Sequence, residues 1–279
     1  MFDRKKFRND IEEQLRNAPR DKCVAFAIRS AMRVLPLLAA RNGAAFHHWK
    51  PEDKNRYLLA VLRNYIRGIK YVLTKGHIDL VAANADAHIV QAASAEASYN
   101  DVNCSTVYAA NAAYMAYTAC TEDPRAAYEY AHLLIPDFYN CATAAAYTAE
   151  ASIDAHADAA IIQEIHLDLA ALDKMIAERF LQQPLWIEST SKEWQQLNSR
   201  FNFAVLKLNA GFDIWMDWYH DRLQGKPIDM PLLRQWNNIP EEIEKQGVPA
   251  INAYLKSLQP KSERLNAFEL CLNCFRRLW

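Results

Sequence analysis

Cys23-Val-Ala-Phe26-Ala-Ile28-Arg-Ser-Ala-Met32-Arg-Val-Leu35 is the stretch that decides the fold. Its apolar residues recur at helical spacing over a wide face, Asp21 stands before it as an N-cap, and Pro36 kinks or ends it. Upstream, Phe2 to Asn17 alternates charged with apolar positions at the same spacing. Downstream, Arg41-Asn-Gly43 marks a loop and Pro51-Glu52-Asp53 opens a third helix in helix-start fashion. Tyr57, Leu58, Val61, Leu62, Tyr65, Ile66, Ile69 and Tyr71 form its apolar face. Arg56, Arg63, Asn64, Arg67 and Lys70 are left for solvent, and Gly76 closes the helix.

From Asp79 to about Asp173 alanine dominates, as in Val107-Tyr-Ala-Ala-Asn-Ala-Ala-Tyr-Met-Ala-Tyr117 and Ala142-Thr-Ala-Ala-Ala-Tyr-Thr-Ala149. Alanine is the best helix former and lets neighbouring axes approach closely, so this region reads as a tightly packed helical centre with tyrosine wedges. The last third differs. It holds Trp186, Trp194, Trp215, Trp218, Trp236 and Trp279, and Pro184, Pro227, Pro231, Pro240 and Pro249 cut it into shorter helices. The expected fold is all-α: a multi-helix bundle with an Ala-rich core over residues 1–180 and a Trp-rich helical subdomain over 181–279 packed on it, or one continuous domain. The six glycines in 279 residues agree with long helices and short connections.

A formal net charge of −1 leaves no overall field to draw in nucleic acid or anionic lipid. The basic start from Arg4 to Arg8 has no apolar run behind it, so it does not read as a signal peptide, and no apolar stretch approaches the roughly 20 residues of a membrane span. Six cysteines scattered without an export signal point to a reduced, cytoplasmic setting, where most serve as small core residues. Cys271-Leu-Asn-Cys274 has CxxC spacing but lacks a partner pair for a zinc site.

Three constellations could carry chemistry. Asp154, His156, Asp158, Glu164, His166 and Asp168 fall within one predicted helix, and the i,i+4 spacing of Asp154 with Asp158 and of Glu164 with Asp168 puts each pair on one face. Asp154, Asp158 and Asp168 are therefore the candidate metal ligands, against a solvated acidic face; no Glu-x-x-His accompanies them. Trp215, Trp218, Tyr219, Asp221 and Arg222 have the composition of a binding hot spot, although Phe212, Trp215 and Tyr219 also sit at the spacing of a core stripe. Nucleophilic catalysis finds no support, since neither a Gly-x-Ser-x-Gly nor a glycine-rich phosphate loop is present. No cofactor is called for.

The third constellation is Arg41-Asn-Gly-Ala-Ala-Phe-His47, which resembles the Arg-to-His spacing of the all-helical HEPN ribonucleases; Arg125 to His132 fits more loosely. That resemblance implies Arg41 and His47 as catalytic residues acting on an RNA phosphate. Separately, Cys23 through Leu38, with the helix ending at Arg67-Gly68 and the alanine-rich centre after it, resembles a bacterial immunity-protein family of alanine-rich helices. Trp215-x-x-Trp218-Tyr219-x-x-Arg222-Leu223-x-Gly225 is similar to a segment of uncharacterised proteobacterial proteins. These resemblances imply a non-enzymatic helical protein of a bacterial conflict or defence system whose partner is another protein encoded nearby. The two alternatives are the ribonuclease and a carboxylate-metal enzyme.

Overall fold

The computed structural model describes residues 3–38, 46, 49–75, 86, 88–96, 109, 112, 113, 116, 141–155, 159–187 and 190–259. Among the described residues every regular element is helical. In chain order these are α1 (Arg4–Leu15), α2 (Arg20–Arg33), a 3-10 turn (Leu35–Leu38), α3 (Lys54–Thr74), α4 (Cys141–Ala155), α5 (Ala159–Leu172) and α6 (Ala177–Leu181). They continue as α7 (Lys192–Lys207), α8 (Asp213–Leu223), α9 (Met230–Trp236), α10 (Glu241–Glu244) and α11 (Val248–Leu258).

α1 is capped by Asp3, which accepts from the Lys6 amide at 2.9 Å, and it buries one stripe, Phe7, Ile11 and Leu15. α2 is of another kind, because every residue from Cys23 to Arg33 is buried. A helix enclosed on all sides serves as the axis of a fold, and α2 meets α3, α4, α5, α6 and the 3-10 turn. Its start differs from expectation: Pro19 holds the N-cap position and Asp21 lies in the first turn. Proline is pre-set for a helix entry and has no amide to leave unpaired. At the other end the α-helix stops at Arg33, because Pro36 has no N–H to continue the ladder, and the chain passes through Val34 into the 3-10 turn.

Alanine does what its size allows. Ala142, Ala144, Ala145, Ala146 and Ala149 of α4 are buried, and α4 lies against both α1 and α2, where Ala25, Ala27 and Ala31 offer equally small side chains. α3 buries Tyr57, Leu58, Val61, Leu62, Tyr65, Ile66 and Ile69 as the periodicity requires. Two expectations about its outer face need correction. Asn64 is buried, and Arg63 and Arg67 are mostly covered, with Arg67 Nη1 2.5 Å from Oδ2 of the buried Asp86. Periodicity places a residue on a wheel but does not say how many neighbours close around it. The helix ends on Lys75 in a left-handed conformation, φ 47°, and Gly76 lies outside the described residues.

The end of α2 joins the alanine-rich and tryptophan-rich parts. The last four carbonyls of a helix lack partners of their own, and burial makes leaving them unpaired costly. Here each accepts from a side chain of a different helix: Ser30 O from Ser152 Oγ of α4 at 3.0 Å, Ala31 O from Tyr65 Oη of α3 at 3.3 Å, Met32 O from Tyr219 Oη of α8 at 3.1 Å, and Arg33 O from Trp194 Nε1 of α7 at 3.0 Å. Residues on both sides of position 180 thus belong to one hydrophobic core.

α8 is seated by a close backbone approach. Gly225, just past its C-terminus, has φ 67°, and a Cβ there would stand 2.5 Å from Pro184 N and 2.8 Å from Gln182 O. Leu185 N donates to Leu223 O at 3.2 Å across the same contact. A Gly225→Ala chain is expected to lose about 2–4 kcal/mol, since it adds left-handed strain to a backbone collision. Thermal unfolding should register this as a drop of roughly 5–10 °C.

Candidate functional site

Arg29 and Arg33 stand one turn apart on α2, and Glu164 and Asp168 stand one turn apart on α5. The two helices bring the pairs together in the interior, where none of the four is more than 3% exposed. Arg29 Nε and Nη2 clasp Asp168 at 3.0 and 2.9 Å, the two-pronged arrangement that suits a guanidinium and a carboxylate. Its remaining N–H groups donate to Phe180 O at 3.3 Å, Gln183 O at 2.8 Å and Pro184 O at 2.8 Å. Arg33 Nη1 lies 2.7 Å from Asp168 Oδ2, its Nε donates to Leu185 O at 3.0 Å, and its Nη2 is 3.8 Å from Glu164 Oε2. Glu164 in turn accepts from Ile187 N at 2.9 Å.

Two positive and two negative charges therefore cancel, and the chain from Phe180 to Ile187 is wrapped over them by its own backbone groups. Burial alone would raise the Asp168 carboxyl, but Arg29 and Arg33 outweigh it and hold it below the ordinary carboxylate range. The guanidinium of Arg29 also lies 4.7 Å from the Phe180 ring centre, and that of Arg33 lies 5.9 Å from the Trp186 ring. This cluster holds elements in place and is closed to any substrate.

Asp168 is consequently unsuited to the metal-ligand role. Both of its oxygens face guanidinium groups at contact distance, where a cation would be repelled. Asp158 and the side chain of Asp154 lie outside the described residues, as do residues 156–158 between α4 and α5. Among the described residues no group of three or more His, Cys, Asp and Glu is placed to hold a metal ion. Arg41, His47, Arg125, His132, Cys271 and Cys274 also fall outside them. Their described neighbours Phe46 and Trp49 are buried and stacked, ring centres 5.5 Å apart, and Trp49 Nε1 donates to Ala93 O at 2.9 Å.

The tryptophan helix α8 divides into an inner and an outer face. Trp215 is fully buried, donates through Nε1 to Asn252 Oδ1 at 2.8 Å and packs 4.9 Å from Trp236. Tyr219 is equally buried on the end of α2. Arg222, expected among the more exposed members, is 4% exposed and donates to Lys226 O and Pro227 O at 2.8 and 3.2 Å. Three of the five proposed partner-contacting residues thus belong to the core. Trp218 and Asp221 remain partly accessible.

The outer face shows what the aromatic reading passed over. Asp213, Asp217 and Asp221 follow one another at i, i+4 and i+8. Asp213 pairs with Lys256 of α11, and Asp221 pairs with Lys226 Nζ at 2.6 Å. Asp217, between them, makes no ion pair among the described residues: partial burial, then Asp213 and Asp221, push its carboxyl up to about 6 against the opposing pull of Lys256 and Lys226. The spacing was legible in the sequence, but which of the three carboxylates forms no ion pair depends on where α11 and the turn after α8 come to lie. No family model matches this chain, and no curated protein or solved structure matches it either.

Two consequences can be measured. Asp168→Asn leaves two buried guanidinium groups short of their counter-charge and should cost about 3–5 kcal/mol in urea unfolding. Replacing Arg29, Arg33, Glu164 and Asp168 together by apolar residues should cost less than that single change. Because its folded value is depressed, Asp168 contributes fully above the unfolded value of about 3.9 and loses its contribution as pH falls through the folded one. Asp217 has the opposite sign. Its folded value of about 6 lies above the unfolded one, so it destabilises the protein as pH rises through that range. Asp217→Asn should stabilise the chain at pH ~7.5 by on the order of 1 kcal/mol, allowing for solvent screening, and have little effect near pH ~4.

Proposed function

We propose that this chain is a non-catalytic helical binding protein, of the immunity or accessory kind, which offers the outer face of α8 to a basic segment of another protein. The observation that carries this reading is the ladder Asp213, Asp217 and Asp221, in which the outer two carboxylates each form an ion pair with a lysine and the middle one, among the described residues, forms none. A lysine or arginine from a partner that lands beside Asp217 would relieve the repulsion and return the carboxyl toward its ordinary range. Trp218, half-buried at the edge of this face and packed 6.5 Å from Trp215, offers apolar contact that is already held in place.

A rigid platform suits this role. α8 is fixed from inside by the Tyr219 hydrogen bond to Met32, by the Trp215 bond to Asn252 and by the Gly225 contact, so its outer face carries little ordering cost into a complex. The immunity or accessory character rests on the sequence resemblance of residues 23–38 and of the alanine-rich centre.

The test is co-purification of the tagged chain with the products of neighbouring genes, followed by titration calorimetry on any complex. Wild-type affinity should fall with added salt, and Asp217→Lys should weaken binding by about tenfold or more, equivalent to roughly 1.4 kcal/mol, with the helical content unchanged. A complex indifferent to Asp217→Lys and Asp221→Lys, or no complex with any neighbouring product, would overturn the proposal.

A further inference from the structure

Four large apolar side chains stand exposed among the described residues, Ile176, Ile187, Phe203 and Leu206. Single exposed residues of this kind are ordinary, but Phe203 and Leu206 lie one turn apart on α7, 48% and 40% exposed. At roughly 3.6 residues per turn Phe203 is the middle of a stripe, with Leu206 on one flank and Arg200 and Lys207 on the other. Both cations are exposed, and Lys207 Nζ lies over the Phe203 ring, 4.3 Å from its centre. Arg200 forms no ion pair among the described residues. From Gln195 to Lys207 the helix contains no acid, so this face is positive as well as apolar.

α8 is its counterpart. Its outer face carries Asp213, Asp217 and Asp221, with the half-buried Trp218 at the edge. The two helices are held together by their inner faces, where the Phe201 and Tyr219 rings meet edge-on with centres 6.3 Å apart. Each molecule therefore holds a cationic apolar face and an anionic aromatic one on neighbouring helices that pack against each other. A two-fold axis matches such a pair twice, since each copy receives what the other offers.

We propose that a second copy of this chain occupies these faces: two molecules pair about a two-fold axis, α7 of each lying on α8 of the other, with Arg200 against the partner's Asp217 and Phe203 and Leu206 against the partner's Trp218. This rests on the reading of α8 as a receiver of cations and names its first occupant, which another protein has to displace. Asp213 and Asp221 already pair with lysines, so the middle carboxylate is the place left for an incoming guanidinium. Arginine suits that place, because its guanidinium is more weakly hydrated than an ammonium and can grip a carboxylate through two N–H groups. Burial of Phe203, Leu206 and the open edge of Trp218 supplies the non-directional part of the attraction, and the charges set the register. Two helices a side make an interface at the small end of the specific range, so the dimer dissociates on dilution and weakens in salt.

The test is sedimentation equilibrium on the 279-residue chain, loaded from about 1 to about 200 μM. The expected mass rises with concentration to twice that of one chain. Arg200→Asp and Asp217→Lys, each alone, should raise the dissociation constant about tenfold or more with helical content unchanged. Mixed in equal amounts, the two variants should recover the dimer, because one contact of the mixed pair is the natural one and the other is its charge reversal. A variant that had merely misfolded is not rescued in this way. A chain monomeric over the whole range, a dimer indifferent to both substitutions, variants that mixing does not restore, or a mass that grows beyond two chains would each overturn the proposal. Arg200→Asp leaves the α8 face intact, so a failed dimer beside a protein complex that still depends on Asp217 removes only this inference. If Asp217→Lys alters neither association, the reading of the α8 face falls as well.

Discussion

Two guanidinium groups enclosed in an apolar interior must have their charge neutralised, or the fold that encloses them incurs a heavy desolvation cost. Arg29 and Arg33 impose this condition on everything around the end of α2. Asp168 and Glu164 supply the charge, which fixes α5 in register with α2, and the carbonyls of Phe180, Gln183 and Pro184 accept from Arg29 and that of Leu185 from Nε of Arg33. An otherwise irregular segment thereby gains a defined path, and that path sets the position of Trp186, which packs 5.0 Å from Trp194 of α7. The same segment receives Gly225. The charge cluster and the seating of α8 are consequently a single arrangement seen from two sides.

The terminal carbonyls of α2 extend the constraint outward. Tyr65, Ser152, Trp194 and Tyr219 reach them from four helices, each through a side chain whose apolar body also fills the core or whose small size lets a helix approach. Arg33, in the last turn, also complements the negative end of the helix dipole. Concentrating polar demand at one helix end gives specificity to a core otherwise built from apolar side chains, whose packing alone discriminates weakly between registers.

Function is drawn from what the core leaves outside. The Arg29, Arg33, Glu164 and Asp168 charges are consumed internally, whereas the outer face of α8 retains a carboxylate whose burial and repulsion Lys256 and Lys226 only partly offset. Aromatic composition alone suggested the same helix for a different reason. In the fold, Trp215, Tyr219 and Arg222 secure it and the aspartates face outward, so the hot-spot composition and the exposed face are two sides of one helix.

The helical class, the amphipathic stripe of α3, the close packing of alanine faces and the Gly225 ending of α8 were all legible from residue spacing, because local periodicity and turn stereochemistry are properties of short segments. Even the two arginines four residues apart in an apolar helix, and the two acids four apart in another, stood in view. What the spacing could not reveal was that they meet, since Arg29 and Asp168 are 139 residues apart and only the packed core brings them within reach. The same holds for the burial of Arg222 and Asn64 and for the placing of Lys256 and Lys226 beside the outer two aspartates of α8. By itself the sequence determined which segments coil and which faces they bury. The tertiary structure alone decided which charges are neutralised, because neutralisation depends on distances between helices that no local pattern encodes.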